Sequence, residues 1–193
     1  SGGDVEDMKK YDLTDETKTL SDGTVLHRIR AARKFTIHDE ITVRNGDLGG
    51  WIERENNLSH DGSAWVYGEA YVYGKACVFD DACVYGNARV YGHARIYGNA
   101  RVYEDARVYG KARVFDDARV FIKAEIYGKA EVYGKAWIYD RARVFDSALV
   151  CDSARIYDKA WIGGSELVYG HEWIHGNACV GVLRPMGAAR SSA

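Results

Sequence analysis

From Val66 to Val180 every sixth residue is Val or Ile, twenty positions in unbroken phase. Ala stands two residues before eighteen of these, and Tyr or Phe stands one residue after sixteen of them. The unit is therefore A-x-[VI]-[YF]-[GD]-x. A period of six matches neither 3.6 nor 7, which excludes an amphipathic helix and a coiled coil and marks a repeat architecture. Within a unit, Ala and Val/Ile lie two apart and share one face of a short strand, while the residue between them and the aromatic after them face outward. Gly or Asp then supplies the positive φ that a tight corner demands, as at Tyr73-Gly74-Lys75 or Phe115-Asp116-Asp117. Three such sides close a triangular coil of eighteen residues. Coils stacked at about 4.8 Å predict a parallel β-helix of about six to seven coils, a prism roughly 30 Å long. Sides this short leave interior room for Ala, Val and Ile only. A one-residue slip would turn every aromatic inward, so the register is strongly specified. The one proline, Pro185, follows the repeats, where it cannot interrupt the ladder.

Both flanks depart from the repeat. Ser1-Gly2-Gly3 reads as a linker remnant and Met8 as a natural start, so residues 1–7 are set aside. Residues 8–58 carry a hairpin signal, Thr17 to Leu20 and Thr24 to Ile29 around Ser21-Asp22-Gly23, and then a first rung after Gly46–Gly50, where Ile52 and Leu58 stand six apart. This segment is expected to be a small N-terminal β cap covering the exposed strand edges of the first coil. The repeat domain spans 59–181 and a C-terminal tail 182–193. Near its end Glu166 and Glu172 replace Ala at inward positions, so the last coils either open to water or pair these carboxylates, with Arg184 the nearest candidate.

Units such as Val84-Tyr85-Gly86-Asn87-Ala88-Arg89 resemble the hexapeptide-repeat family best known from acyltransferases. That resemblance implies a left-handed helix, which the period alone does not specify. Tyr11-Asp12-Leu13-Thr14 and Gly46-Asp47-Leu48-Gly49-Gly50-Trp51-Ile52 are more narrowly similar to bacterial and prophage proteins assigned as acyltransferases by fold. Fold by itself does not carry function. Acyltransferases of this kind use a His beside a loop that breaks the repeats, with acyl-CoA along a groove between subunits. No loop breaks these twenty units, and His93 at a corner has no base partner marked in the sequence. The related carbonic anhydrases need three converging histidines, and His93, His171 and His175 are scattered.

Charge narrows the field little. The 26 Lys and Arg nearly balance 28 Asp and Glu, a formal net charge of -2, which gives no global pull toward a polyanion or membrane. With no long apolar run and no leader-like opening, the chain reads as cytoplasmic and not membrane-bound. Cys77, Cys83, Cys151 and Cys179 have neither disulfide nor metal-ligand spacing, so no metal and no cofactor are expected. His171-Glu172-Trp173-Ile174-His175 spells HExxH, but the zinc motif needs a helix and this one lies in strand register. An ice-binding threonine ladder is excluded, because no Thr follows Thr42.

The outward columns, read at every eighteenth residue, remain. One face carries Trp65, Cys83, Arg101, Arg119, Trp137, Arg155 and Trp173, next to Tyr67, Tyr85, Tyr103, Phe121, Tyr139 and Tyr157, with Ile122 at its corner. Aromatic and Arg side chains in this density form interface cores, although the same rings could simply stack to stabilise the rungs. The expected function is a non-catalytic binding or scaffold protein. Its contact residues would be Trp65, Tyr85, Tyr103, Phe121, Ile122, Trp137, Tyr139 and Trp173, used for self-association, with a trimer favoured, or for another protein. The prophage resemblance would extend this to a host defence component or a sequestered signal molecule. An acyl-CoA-dependent acyltransferase with its site at a trimer seam is the first alternative. The second is polyanion or nucleic-acid binding along the corner Lys75, His93, Lys111 and Lys129 with Arg95 and Arg113, against which the nearby Glu131, Asp80, Asp81, Asp116 and Asp117 weigh.

Overall fold

The computed structural model describes residues 9–181, and it is a β-solenoid of parallel stacked coils with no α-helix among them. Strands β1 (Tyr11–Thr19) and β2 (Val25–Ala31) form an antiparallel hairpin, and β2 pairs antiparallel with β5 (Leu48–Ile52). Between them β3 (Phe35–Ile37) and β4 (Ile41–Val43) make a second small hairpin. Twenty two-residue strands follow, from Trp65–Val66 to Cys179–Val180, one per repeat. Every repeat Ala and Val/Ile from Ala64 to Ile162 is buried, so the interior is the column the period implies.

Three sheets form the prism walls. The ten-stranded wall, here the hairpin face, continues β1, β2 and β5 into the strands bearing Tyr71, Arg89, Arg107, Glu125, Arg143, Trp161 and Cys179. The six-stranded leucine face bears Cys77, Arg95, Arg113, Glu131, Leu149 and Leu167. The seven-stranded tryptophan face bears Trp65, Cys83, Arg101, Arg119, Trp137, Arg155 and Trp173. Amides of the outward residues donate to a carbonyl one coil on, as from Tyr67 to Val84 at 3.0 Å and Arg89 to Ala106 at 2.9 Å, while the Ala amides close the corners, as from Ala106 to Tyr103 at 3.3 Å.

Positive φ at the corners is met by Gly or by Asp, Glu104 and Ile122 being the exceptions within the coils. The aspartates add a bond that glycine cannot. Asp80, Asp116, Asp140, Asp146, Asp152 and Asp158 each turn Oδ2 onto the amide N–H eighteen residues ahead, at 2.9–3.2 Å. A corner Asp thus clamps two coils with a charge-assisted hydrogen bond.

The parallel pairing begins at β5, inside the segment read from sequence as the cap. Trp51 pairs with Tyr71 and Leu58 with Val78, each twenty residues on, whereas Trp65 pairs with Cys83, eighteen on. The first coil therefore holds two extra residues, in the bulge around His60 and Asp61. Gly49 and Gly50 let β5 lie tight on its neighbours, since a Cβ on Gly49 would come within 2.5 Å of Ile29 and one on Gly50 within 2.8 Å of Val66.

A first coil has carbonyls with no coil above to bond them, and the cap supplies side chains in place of that coil. Lys10 is fully buried, its Nζ donating to Ala64 O at 2.7 Å and reaching Asp61 O and Gly62 O at 3.4 and 3.5 Å. Tyr11 Oη donates to Leu58 O at 2.7 Å and lies 3.0 Å from Glu55 O, and Asn57 Nδ2 donates to Ala76 O at 2.8 Å. Burial draws the Lys10 ammonium down to about 8.

At the last described coils Glu172 is exposed and Glu166 half-buried, and Ile174 and Val180 lose the complete burial of their repeat-mates. Arg184, Pro185 and the rest of the tail lie outside the described residues, as do residues 1–8, Met8 among them.

Candidate interaction surfaces

The tryptophan face is shorter than its column of residues. The β3–β4 hairpin lies over its first two rungs, where Phe35 meets the Trp65 ring edge-on at 5.1 Å and Tyr11 approaches it at 6.2 Å. Trp65 and Cys83 are each 2% exposed. Trp65, expected at an interface, is instead part of the cap's core, because the hairpin contributes an aromatic lid that no local feature of the repeat reveals. Burial pushes the Cys83 thiol up to about 11.

Below the hairpin the column is accessible and its arginines are stacked on tryptophan. Arg119 and Arg155 lie over the two sides of Trp137, at 5.1 and 4.7 Å from the ring centre, and Arg155 also lies 5.2 Å from Trp173. Phe121 meets Trp137 edge-on at 6.1 Å. Neither Arg119 nor Arg155 has a carboxylate partner among the described residues, whereas Arg113 pairs with Glu131 at 3.5 Å and Arg143 with Glu125 at 3.7 Å on the other two faces. Trp173 is 60% exposed.

Tyr85, Tyr103, Phe121 and Tyr139 play a different part. Their rings stack in sequence at 4.8–5.0 Å and within 9° of parallel, and equivalent stacks run down the other two corners. Ring faces are consumed by ring faces, so only edges meet solvent. Stacking platforms for nucleic-acid bases, which require open faces, are thus largely closed. Ile122 sits half-exposed at the corner of this stack with φ 60°.

On the lysine corner, Lys75, His93, Lys111 and Lys129 are all exposed in one line. Of the two flanking arginines, Arg113 is engaged by Glu131 and Arg95 lies over Phe79 at 5.2 Å. The polyanion site weighed there as the second alternative would keep its lysines but have one guanidinium paired to Glu131.

Sequence reading passed over His60. Its Nδ1 accepts the Lys10 amide N–H at 3.1 Å, its ring stacks on Tyr11 at 4.3 Å, and Nε2 stands 3.9 Å from Glu55 Oε2. With Nδ1 so occupied, the remaining nitrogen faces a carboxylate already paired to Lys9 at 2.8 Å. This suits a structural histidine and leaves no free lone pair for a general base. The signal was present in the sequence as the eight-residue interval from Leu58 to Val66. His171 and His175 are exposed in the last described coil, with His175 stacked on Tyr157, and no metal-holding cluster of His, Cys, Asp and Glu occurs among the described residues. No helix among them is long and apolar enough to cross a membrane.

These features define a β-solenoid repeat protein with ladder-bearing faces. Residues 94–110 and 136–152 match the YdcK β-solenoid repeat model. The chain is also 36% identical over 63 residues to an uncharacterised acetyltransferase, YdcK, of Escherichia coli strain K12, a match that covers 31% of this chain and 19% of that protein. The chain thus matches about a fifth of the length of that relative.

Proposed function

We propose that this solenoid is a non-catalytic binding module that assembles with copies of itself through the tryptophan face. The observation that carries this is the Arg119–Trp137–Arg155 stack, cationic, aromatic and without a carboxylate of its own. The complementary charge lies on the same chain. The corner bordering this face carries Asp116, Asp117 and Asp152, within three residues of Arg119 or Arg155 and so at the same height along the prism. Copies arranged about an axis parallel to the prism keep their heights equal. Each would set its Arg column against its neighbour's Asp corner, a head-to-tail contact that closes as a ring, with three copies expected. Face-to-face pairing of two tryptophan faces would instead oppose like charges.

Light scattering on the purified chain tests this. A mass of three chains that falls to one in the Arg119→Glu/Arg155→Glu variant is expected, while a wild-type monomer would refute it. The acetyltransferase reading draws on the relative's name and predicts release of free thiol from acetyl-CoA when candidate acceptors are added. Turnover above the uncatalysed rate would overturn the non-catalytic reading.

A further inference from the structure

A concavity of about 670 Å³ lies on the hairpin face beside the Ile122 corner. Its walls carry Arg89, Arg107 and Lys123 as cations and Glu69, Asp105 and Glu125 as anions. The acids are engaged. Glu69 is bridged by Lys18 and lies 3.7 Å from Arg28, Glu125 lies 3.7 Å from Arg143, and Asp105 accepts a 3.1 Å bond from the neutral Asn87 amide. The cations are not, since no carboxylate of the described residues pairs with Arg89, Arg107 or Lys123. Three unpaired cations therefore face one carboxylate, Asp105, that lacks a counter-charge.

Arg89 and Arg107 are also direct cross-strand partners, one strand spacing of about 4.8 Å apart. Like charges so placed repel, and the carboxylate across Arg107 on its other side, Glu125, is shared with Arg143 at 3.7 Å. Arg89 is held in position over the Tyr71 ring at 5.5 Å. Two guanidinium forks at this spacing match the oxygens of a phosphate or carboxylate, which each fork can bind with two parallel hydrogen bonds. An anion there relieves the repulsion and takes donors otherwise left to water.

We propose that this groove binds a small polyvalent oxyanion, bridged by Arg89 and Arg107 with Lys123 as the third cation. The site lies on the hairpin face, across the Ile122 corner from the proposed assembly contact, and is argued from its own residues. Titration calorimetry at low ionic strength with inorganic pyrophosphate and with citrate tests it, the preferred probe distinguishing a phosphate-bearing from a carboxylate-bearing ligand. Saturable binding of either is expected, weakened about tenfold or more in the Arg89→Gln/Arg107→Gln variant, strengthened in Asp105→Asn, and unchanged in Lys111→Gln on the lysine corner. A cooperative thermal transition at or above that of the wild type in each variant confirms folding. The proposal is overturned if neither probe binds the wild type, if the double variant binds as well as the wild type, or if Lys111→Gln weakens binding equally.

Discussion

Ile122 adopts φ 60°, in a corner column otherwise occupied by Gly68, Gly86, Glu104, Asp140, Asp158 and Gly176. It is the one β-branched residue at positive φ among those described. Left-handed backbone costs an L-residue about 1–2 kcal/mol, and branching at Cβ places Ile at the upper part of that range. Replacing it with Asn removes most of the strain, and the Asn carbonyl can accept the Asp140 amide as the corner aspartates accept theirs, for about 1 kcal/mol. Against this, a half-exposed Ile gives up roughly 1 kcal/mol of apolar burial. Ile122→Asn is therefore expected to be more stable by about 1–2 kcal/mol, which for a chain of this size raises Tm by about 3–6 °C. Ile122→Val, which keeps the branch, should not gain. Thermal melts followed by circular dichroism decide it, and an Asn variant melting at or below the wild type would refute the strain argument. Because Ile122 borders the proposed contact face, the stabilised variant should also assemble more weakly.

Other consequences concern the cap. Lys10→Met leaves the carbonyls of Asp61, Gly62 and Ala64 without their donor, an expected loss of about 2–3 kcal/mol seen as faster amide exchange in β1 and β2. His60 is held below its ordinary 6.5 by burial, so the folded chain binds fewer protons than the unfolded one there, and cap stability should fall as pH drops from about 7 toward 5. In His60→Gln that slope should flatten, as read by the same exchange. With a thiol reagent at pH 8, exposed Cys179 should react first and Cys83 only when the cap detaches, a step that Lys10→Met should accelerate. Equal rates for the two cysteines would contradict the lid over Cys83.

The solenoid was legible because its cause is local and repeated. Ala88 and Val90, Ala106 and Val108 state the inward face at every turn, and the corner glycines and aspartates state where the chain bends. The cap was legible only as far as its hairpin around Ser21-Asp22-Gly23. That Phe35 would cover Trp65, or that Lys10 would be fully buried, depends on where a non-repeating segment lands on a repeating one, and no spacing encodes that. The aromatic columns were visible as columns, yet whether rings meet each other or solvent depends on the corner angle. The surplus of cations around Arg89 and Arg107 was hidden for a related reason. It emerges only once Lys18, Arg28 and Arg143 have claimed the neighbouring acids.

The coil of eighteen residues separates length from surface identity. Adding one whole coil would lengthen the prism by about 4.8 Å and leave every downstream side chain on its own wall. Adding a single six-residue unit would preserve the interior equally well, because Ala and Val would still arrive in phase, but would rotate everything beyond it by a third of a turn. Trp137 and Arg155 would then leave the wall of Arg119. In such a protein an insertion can pass unnoticed by the core and still dismantle a surface ladder, so the number of repeats between two surface residues, taken modulo three, decides whether they share a wall.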